Sequence, residues 1–256
     1  GTFVVHPEVQ KITICELEKL IPPATSRYFN KENHDVYNDP RTTIHYDDAR
    51  HFVLTSPDKY DIITSDPIHP WVKGTATLYS KEYYEMVKRH LNPGGVVTQW
   101  VPLYESDPET IKSELATFFD VFPNGTIWAN NIGSEGYDVV LLGTVEPSHI
   151  DLDAVQHRLE TQEDMRRSMS EVGFTSPEQL FSNYYGRASD LKKWYAGVTL
   201  NNDLNLRLQY MAGLGLNFNN ADAIAKQIQA FLRFPDDMFS GSLDRLQNLR
   251  SSIQYR

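Results

Sequence analysis

Cysteine, long apolar runs and basic residues are scarce in this 256-residue sequence, and each scarcity excludes a class of protein. Cys15 is the single cysteine, so an internal disulfide is excluded and a reducing compartment is indicated. No apolar run approaches the roughly 20 residues that a membrane-spanning helix needs. Lysine and arginine total 24 against 34 acidic residues, and the net charge of −10 argues against a general nucleic-acid surface.

What is present in the first half is an alternation of strands and helices. Short β-branched runs predict strands over residues 11–17, 42–46, 60–64 and 95–100. Amphipathic spacing predicts helices over 80–91 and 108–119, the second with Asp107 as its N-cap. This alternation predicts parallel strands joined by right-handed crossovers, with helices on both faces of the sheet.

The pattern then changes to two strand-like runs, residues 126–131 and 137–144. The five residues between them are too few for a crossover helix, so the runs predict an antiparallel hairpin. The predicted fold class is therefore α/β: a Rossmann-like, methyltransferase-type, mostly parallel sheet that ends in an antiparallel hairpin.

A mostly helical appendage is predicted after the sheet. Helical runs cover residues 150–159, 163–172, 177–185 and 221–232, and residues 199–210 form the single non-helical island. We therefore predict a catalytic domain over residues 1–145 and a helical C-terminal extension over residues 146–256.

Acidic residues follow three of the four predicted parallel strands. Glu16 and Glu18 follow the first, Asp47 and Asp48 the second, and Asp66 the third, whereas the fourth ends in Gln99-Trp100. Ligands of open α/β sheets bind outside the carboxyl ends of the strands. A carboxylate there accepts two donors side by side, which suits ribose hydroxyls and base amino groups.

An ordered set of motifs makes residues 1–145 resemble the spermidine synthases. The set is Ile14-Cys15-Glu16-Leu17-Glu18, Asp39-Pro40-Arg41, Asp47-Asp48-Ala49-Arg50, Tyr60-Asp61-Ile62-Ile63, Leu78-Tyr79-Ser80-Lys81-Glu82-Tyr83-Tyr84 and Leu91-Asn92-Pro93-Gly94-Gly95-Val96. The stretch from Ser65 to Trp71 and the loop Asn201-Asn202-Asp203 resemble most closely the branch that is fused to membrane-spanning segments.

The resemblance implies a Rossmann-like domain that binds an adenosyl sulfonium co-substrate, decarboxylated S-adenosylmethionine or S-adenosylmethionine itself. It implies that Glu16 holds the ribose hydroxyls and that Asp48 accepts the adenine amino group. The same pocket would include Leu17, Asp47, Ala49 and Asp66. Asp66 would also take the proton from the attacking amine, because a protonated amine has no lone pair. Contacts to an amine or polyamine acceptor are expected from His69, Trp71, Tyr79, Gln99 and Asp203.

Two departures from the spermidine synthases stand out. Those enzymes carry Asp-Ser-Ser-Asp where this chain has Asp66-Pro67-Ile68-His69, so the second acid, which helps to anchor the diamine, is replaced by His69. Trp71 would offset this loss by cation–π contact. The glycine-rich turn after the first strand is expected before or at Gly1, so the chain as given would carry half of the cofactor pocket.

Each assignment has a plainer alternative. Glu16 would be a helix N-terminal acid favoured by the macrodipole, and Asp48 would be a cap of the following helix. Asp66 and Asp203 would belong to polar turns. His69 would be a solvated loop histidine, and the tyrosine, the glutamine and the tryptophans would be core packing. The histidines show no spaced set with cysteine or glutamate, so no metal site is expected.

Three functions remain open on the sequence. The first is aminopropyl transfer to an amine, with Asp66 as general base, and the second is methyl or other alkyl transfer from S-adenosylmethionine. The third is a non-catalytic nucleoside-sensing domain of a membrane protein. The resemblance implies a homo-oligomer with no nucleic-acid partner, in the cytoplasm or, if membrane segments lie upstream, at the cytoplasmic face of a membrane.

Overall fold

The computed structural model describes residues 1–132, 135–218 and 220–254 and divides the chain into two compact units. The small unit comprises Gly1–Ser56 and Leu152–Leu180, and the large unit comprises Pro57–Asp151 and Phe181–Arg256. The domain boundary predicted after residue 145 does not coincide with this division, because residues beyond it contribute to both units.

The small unit contains two short parallel strands, β1 (Ile12–Cys15) and β2 (Thr42–His45). They confirm the first two predicted strands. Helix α1 (Ile21–Phe29) has prolines in its first turn, where the backbone N–H that proline lacks has no intrahelical partner. Helix α2 (Ala49–Thr55) follows β2 after a short turn.

Arg41 fixes the N-terminal segment of the small unit. Its guanidinium donates to the backbone oxygens of Val4, His6 and Val9, at 2.8 to 3.1 Å, and to both carboxylate oxygens of Asp39. The hydrogen bonds from Arg41 lower the pKa of Asp39 to about 2. The Asp-Pro-Arg motif therefore has a structural role. The planar guanidinium of Arg41 supplies hydrogen bonds to backbone carbonyl groups that lie outside any regular strand.

The large unit begins with β3 (Tyr60–Ser65), α3 (Lys81–Arg89), β4 (Leu91–Pro102) and α4 (Pro108–Val121). Ser80 and Asp107 cap the two helices through their side chains, as the sequence predicts for Asp107. Strands β3 and β4 are parallel. Strands β5 (Thr126–Ile132) and β6 (Glu135–Thr144) confirm the antiparallel hairpin, and Gly133 and Ser134 of its predicted turn lie outside the described residues.

One face of this sheet packs closely on α4. Gly143 of β6 permits the approach, because a Cβ atom there would lie 2.7 Å from Phe122 and 2.8 Å from Phe118. Both phenylalanines are fully buried. Burial of each stabilises the fold by about 1.5–3 kcal/mol, so this glycine and the two rings form one packing unit.

The remaining elements are β7 (Ile150–Asp151), α5 (Leu152–Thr161), α6 (Glu163–Glu171), α7 (Pro177–Phe181), β8 (Tyr184–Arg187), α8 (Ala188–Leu191), α9 (Arg207–Met211), α10 (Ala221–Gln229), β9 (Phe239–Ser240) and α11 (Leu243–Gln254). Strand β8 pairs antiparallel with β5, so the sheet order of the large unit is β3-β4-β6-β5-β8. Strands β7 and β9 form a separate parallel pair.

Two predictions for this half are wrong. Residues 177–185 are not one helix, because α7 ends at Phe181 and the aromatic pair that follows joins the open edge of the hairpin as β8. Residues 199–210 are not the single non-helical island: three short strands interrupt the region, and α9 begins at Arg207. The pairing partners of β7, β8 and β9 are distant in sequence, so periodicity alone does not reveal them.

The fold class is α/β and Rossmann-like, with a mixed sheet and helices. Among the described residues, no helix has both the length and the apolar composition required to cross a bilayer.

Candidate functional site

The acids of the small unit lie at the carboxyl ends of β1 and β2. The two strand ends are neighbours, since Cys15 pairs with His45 and the Glu16 backbone N–H donates to the His45 oxygen at 3.0 Å. Glu16 and Asp47 are half-buried and Asp48 is exposed. The structure therefore brings together the carboxylates to which the resemblance assigns the nucleoside.

Each of these carboxylates is held by its own turn. Glu16 Oε1 accepts from the Glu18 backbone N–H at 2.9 Å, and Asp48 Oδ1 accepts from the His51 backbone N–H at 2.9 Å. The second bond makes Asp48 the N-cap of α2, the plainer role that the sequence also allows. Each acid keeps a second oxygen outside its turn bond, so local bonding leaves acceptor capacity for a ligand.

Asp47 is engaged by a histidine one turn along. His51 Nδ1 lies 2.7 Å from Asp47 Oδ2, and this hydrogen bond lowers the pKa of Asp47. Ala49 opens α2 directly behind this pair, and Leu17 is 73% exposed beyond β1. An exposed leucine beside strand-end acids offers an apolar surface to a ligand, so Leu17 stays a candidate contact.

The Cys15 thiol is held neutral beside these acids. Its Sγ donates to the Asp47 backbone oxygen at 3.3 Å. Burial and the charges of Asp47 and Asp48 raise its pKa to about 11. A nucleophilic cysteine needs a thiolate, so the only cysteine of the chain is not a nucleophile at neutral pH.

Asp66 directly follows β3 in the large unit. Ser65 pairs with Gln99 of β4, so the residues that follow, Asp66 and Trp100, lie on the same face of the sheet. Asp66 is exposed over part of its surface. Burial of its carboxyl group, followed by the nearby charge of Asp138, raises its pKa. The residue therefore holds a proton more readily than an ordinary aspartate.

Tyr79 and Gln99 lie buried below the loop that carries Asp66. The Tyr79 hydroxyl donates to the backbone oxygens of Pro67 and Ile68, at 3.5 and 3.4 Å. Burial raises the pKa of Tyr79 well above its usual value, although a hydrogen bond with Gln99 opposes this. Both side chains are fully buried. In this geometry they hold the Asp66 loop in position.

His69 lies inside a cluster of aromatic rings. Its ring centre is 5.6 Å from Trp71, 5.5 Å from Trp100 and 5.2 Å from Tyr104. Burial lowers the pKa of His69, and Glu105 opposes this from 3.8 Å, a separation too long for a hydrogen bond. His69 is therefore a neutral, packed histidine, neither a solvated one nor an ammonium anchor.

Metal-ligating side chains are not grouped in the part of the chain that the structure describes. No set of three or more histidine, cysteine, aspartate or glutamate side chains among those residues has the arrangement to hold a metal ion.

Asp138 is a functional candidate that the sequence reasoning missed. It lies on β6 opposite Pro102, and its Oδ2 accepts from the Trp100 indole N–H at 2.9 Å. Only 7% of the residue is exposed. The signal in the sequence is an acid immediately before the apolar run Val139-Val140-Leu141-Leu142.

Asp203 lies on a loop that the buried Asn201 fixes. Asn201 donates to the Ala76 oxygen at 2.8 Å and accepts from the Leu208 N–H at 3.2 Å. Asp203 itself is exposed, and its backbone N–H donates to Glu82 of α3 at 3.0 Å. The role of the Asn201-Asn202-Asp203 motif in this structure is therefore carried by Asn201, whose side-chain hydrogen bonds anchor the loop.

Comparison with known proteins points to one family. A family model for the spermine/spermidine synthase domain matches residues 2–131, just over half of the chain. The polyamine aminopropyltransferase of Enterobacter sp. (strain 638) is 37% identical over 91 residues, which cover 36% of this chain and 31% of that protein. The spermine synthase of Arabidopsis thaliana is 29% identical over 183 residues, which cover 64% of this chain and 50% of that protein.

Among solved structures, the spermidine synthase from Thermotoga maritima superposes with a TM-score of 0.47 at 15% identity, covering 90% of this chain and 63% of that chain. The chain spans half or less of the length of the two curated relatives. Because the family model covers more than half of the sequence and includes the strand-end acids and the Asp66 loop, the chain belongs to the spermine/spermidine synthase family.

Proposed function

We propose that the chain is the catalytic part of a transferase that moves an aminopropyl group from decarboxylated S-adenosylmethionine to an amine. The observation that carries the proposal is Asp66, a carboxylate at the end of a parallel strand whose pKa is raised by burial and by Asp138. A general base works best when its pKa lies close to the working pH. Family membership supports the reaction class.

The donor is assigned to the strand-end acids of the small unit. Glu16 is proposed to accept the ribose hydroxyls and Asp48 the adenine amino group, each through the oxygen that its turn bond leaves outside. Asp47, Leu17 and Ala49 are proposed as neighbouring contacts. Neutral donors such as hydroxyl and amino groups suit a carboxylate that is already ionised and locally held.

Asp66 is proposed to handle the proton of the reaction. The lone pair of the amine nitrogen attacks the carbon beside the sulfonium sulfur, and the breaking carbon–sulfur bond returns its electrons to sulfur. The nucleoside product is neutral methylthioadenosine, so no general acid is required. The amine proton passes to Asp66, and much of the remaining acceleration comes from in-line positioning.

The acceptor is assigned to the loop that follows Asp66. Trp71 and His69 are proposed to contact its methylene chain, since both belong to the aromatic cluster. Tyr79 and Gln99 would act from below by fixing the loop. Asp203, which lies on an exposed turn beside Glu82, is proposed as a further contact.

Product identification tests this proposal. The full-length protein is incubated with either sulfonium donor and a panel of polyamines, and the nucleoside is identified by mass spectrometry. Methylthioadenosine that forms about a hundredfold or more slowly with Asp66→Asn is the expected result. S-adenosylhomocysteine would instead indicate a methyltransferase. Nucleoside binding without any product would leave a sensing domain and refute the transfer reaction.

A further inference from the structure

The Asp138 carboxylate is buried with one oxygen unsatisfied. Oδ2 accepts from the Trp100 indole, whereas Oδ1 receives no hydrogen bond from any residue that the structure describes. With 7% of its surface exposed, Asp138 has little water to replace that bond. A buried acceptor without a donor costs about 1–3 kcal/mol, and more when it is charged. Among the described side chains, none supplies the donor that would complete this arrangement.

Within the described residues, no lysine or arginine pairs with the acids around Trp100. Neither Asp66 nor Asp138 forms an ion pair with a basic side chain of those residues, and Glu105 lies 3.8 Å from the neutral ring of His69. The two aspartates lie on β6 and at the end of β3, on either side of Trp100 of β4. Negative charge without a built-in partner is costly in a partly buried setting, and a cationic ligand would offset that cost.

The surroundings of these acids favour an organic cation. Trp100 and Tyr104 lie 6.3 Å apart, and Tyr104 stacks on the exposed Tyr137 at 4.5 Å. Aromatic faces attract ammonium groups and cover methylene chains. Calcium and magnesium ions prefer six or more oxygen ligands, which aromatic rings do not provide.

We propose that Asp138, with Trp100 and Tyr104, forms the subsite for the second, non-reacting ammonium group of a linear diamine or polyamine. The inference rests on the proposed function and adds Asp138 to the acceptor site as a residue that determines specificity. Asp138 would perform the role of the acid that His69 replaces. It would do so from β6, whereas His69 lies in the loop after β3. The reacting nitrogen then lies at Asp66 and the distal one at Asp138.

Matched amines test the subsite by equilibrium binding. Putrescine and n-butylamine share a four-carbon chain but differ in the distal ammonium group. Titration calorimetry of the full-length protein should show tighter binding of putrescine. Asp138→Asn should weaken putrescine binding about tenfold and leave butylamine unchanged, because only the diamine uses the charge. Asparagine keeps an oxygen for the Trp100 indole, and thermal melting checks the fold.

Trp100→Phe separates this role from a purely structural one. It removes the indole N–H and keeps an aromatic face, so putrescine should still bind better than butylamine. If Asp138 serves only to seat Trp100, the two variants will weaken both amines alike, and the subsite is refuted. Asp244→Asn, an exposed acid at the start of α11, controls for net charge.

Turnover measured in parallel distinguishes the two proposals. Loss of diamine preference in Asp138→Asn, in a protein that forms no methylthioadenosine, would refute the transfer reaction and support the amine subsite. Turnover with an unchanged diamine preference in Asp138→Asn would refute the subsite alone. A wild-type protein that binds both amines equally would also refute it.

Discussion

The two units hold their carboxylates in opposite ways. At the strand ends of the small unit, Glu16 and Asp48 each accept a backbone N–H from their own turn, and Asp47 accepts from His51. In the large unit, Asp138 has an unsatisfied oxygen, and the pKa of Asp66 is raised by burial and by Asp138. The first acids have hydrogen-bond donors within their own turns, whereas Asp138 Oδ1 has none among the described residues.

This difference separates two chemical roles. A locally bonded carboxylate stays ionised at little cost, so it can accept hydrogen bonds from neutral hydroxyl or amino groups of a ligand. A carboxylate that is buried without a donor gains free energy when a proton or a cation arrives. We therefore expect substitutions in the small unit to alter nucleoside binding, and those in the large unit to alter amine binding and proton transfer.

The largest effect is expected for Asp66→Asn. Loss of the general base should lower kcat about a hundredfold or more, because asparagine accepts no proton at neutral pH. Methylthioadenosine binding should stay within about twofold, because the ribose and adenine hydrogen bonds are assigned to Glu16 and Asp48 and asparagine keeps the shape of Asp66. Steady-state kinetics and calorimetry measure the two quantities.

Asp61→Asn provides the matched control for this substitution. Asp61 lies on the same strand and is exposed, and its Oδ1 accepts from the Asn92 amide at 2.9 Å. Its replacement should leave kcat unchanged. Equal losses in the two variants would mean that charge on β3, and not the base at its end, controls the rate.

The second effect is a dependence of rate on pH. Because Asp66 must be ionised to accept the proton, kcat/KM should fall about tenfold per pH unit below its pKa. Burial and Asp138 raise that pKa, so the fall should begin at a higher pH than the usual aspartate range. In Asp138→Asn one of the two causes is gone, and the fall should shift to lower pH. If the fall of kcat/KM in Asp138→Asn begins at the same pH as in the wild type, a group other than Asp66 controls it.

A smaller effect is expected at Asp48, where two roles overlap. Asp48→Ala should weaken nucleoside binding about tenfold and, through loss of the α2 cap, lower the unfolding free energy by about 1 kcal/mol. Asp48→Asn should weaken binding without that stability loss, since asparagine caps as well as aspartate does. Chemical denaturation and calorimetry separate the two. Unchanged nucleoside binding in both variants would leave Asp48 as a cap only.

The smallest effect, on stability alone, is expected at Glu114 of α4. It is fully buried, its Oε2 has no hydrogen-bond partner among the described residues, and burial raises its pKa well above the usual value. The folded chain then keeps a proton that the unfolded chain releases, so stability falls as pH rises above the ordinary glutamate range. Glu114→Gln removes this penalty and should raise the melting temperature by a few degrees at neutral pH.

Two further results would delimit the Glu114 interpretation. The advantage of Glu114→Gln should vanish about one pH unit or more below the ordinary pKa of glutamate, where both states hold the proton. Amine binding should not change, because Glu114 is sealed from solvent, unlike the cluster around Asp66. Altered diamine binding in this variant would contradict the distinction between a buried structural acid and the Asp138 subsite.

Local signals predicted what is local in this molecule. The caps Asp107 and Asp48 and the acids at three strand ends depend on neighbours within a few residues, and the structure places each at its element boundary. Asp138 was not predicted as a site residue because its partner Trp100 is 38 residues away, and only the register of β4 with β6 brings them together. Strand β8 was missed for the same reason, since it depends on the open edge of β5.

The most direct test measures methylthioadenosine and putrescine binding to the same two variants, Asp48→Asn and Asp138→Asn. We predict a crossed result: Asp48→Asn loses affinity for the nucleoside and keeps putrescine, and Asp138→Asn does the reverse. Variants that lose both ligands together, or neither, would contradict the division of roles between locally bonded and unsatisfied carboxylates.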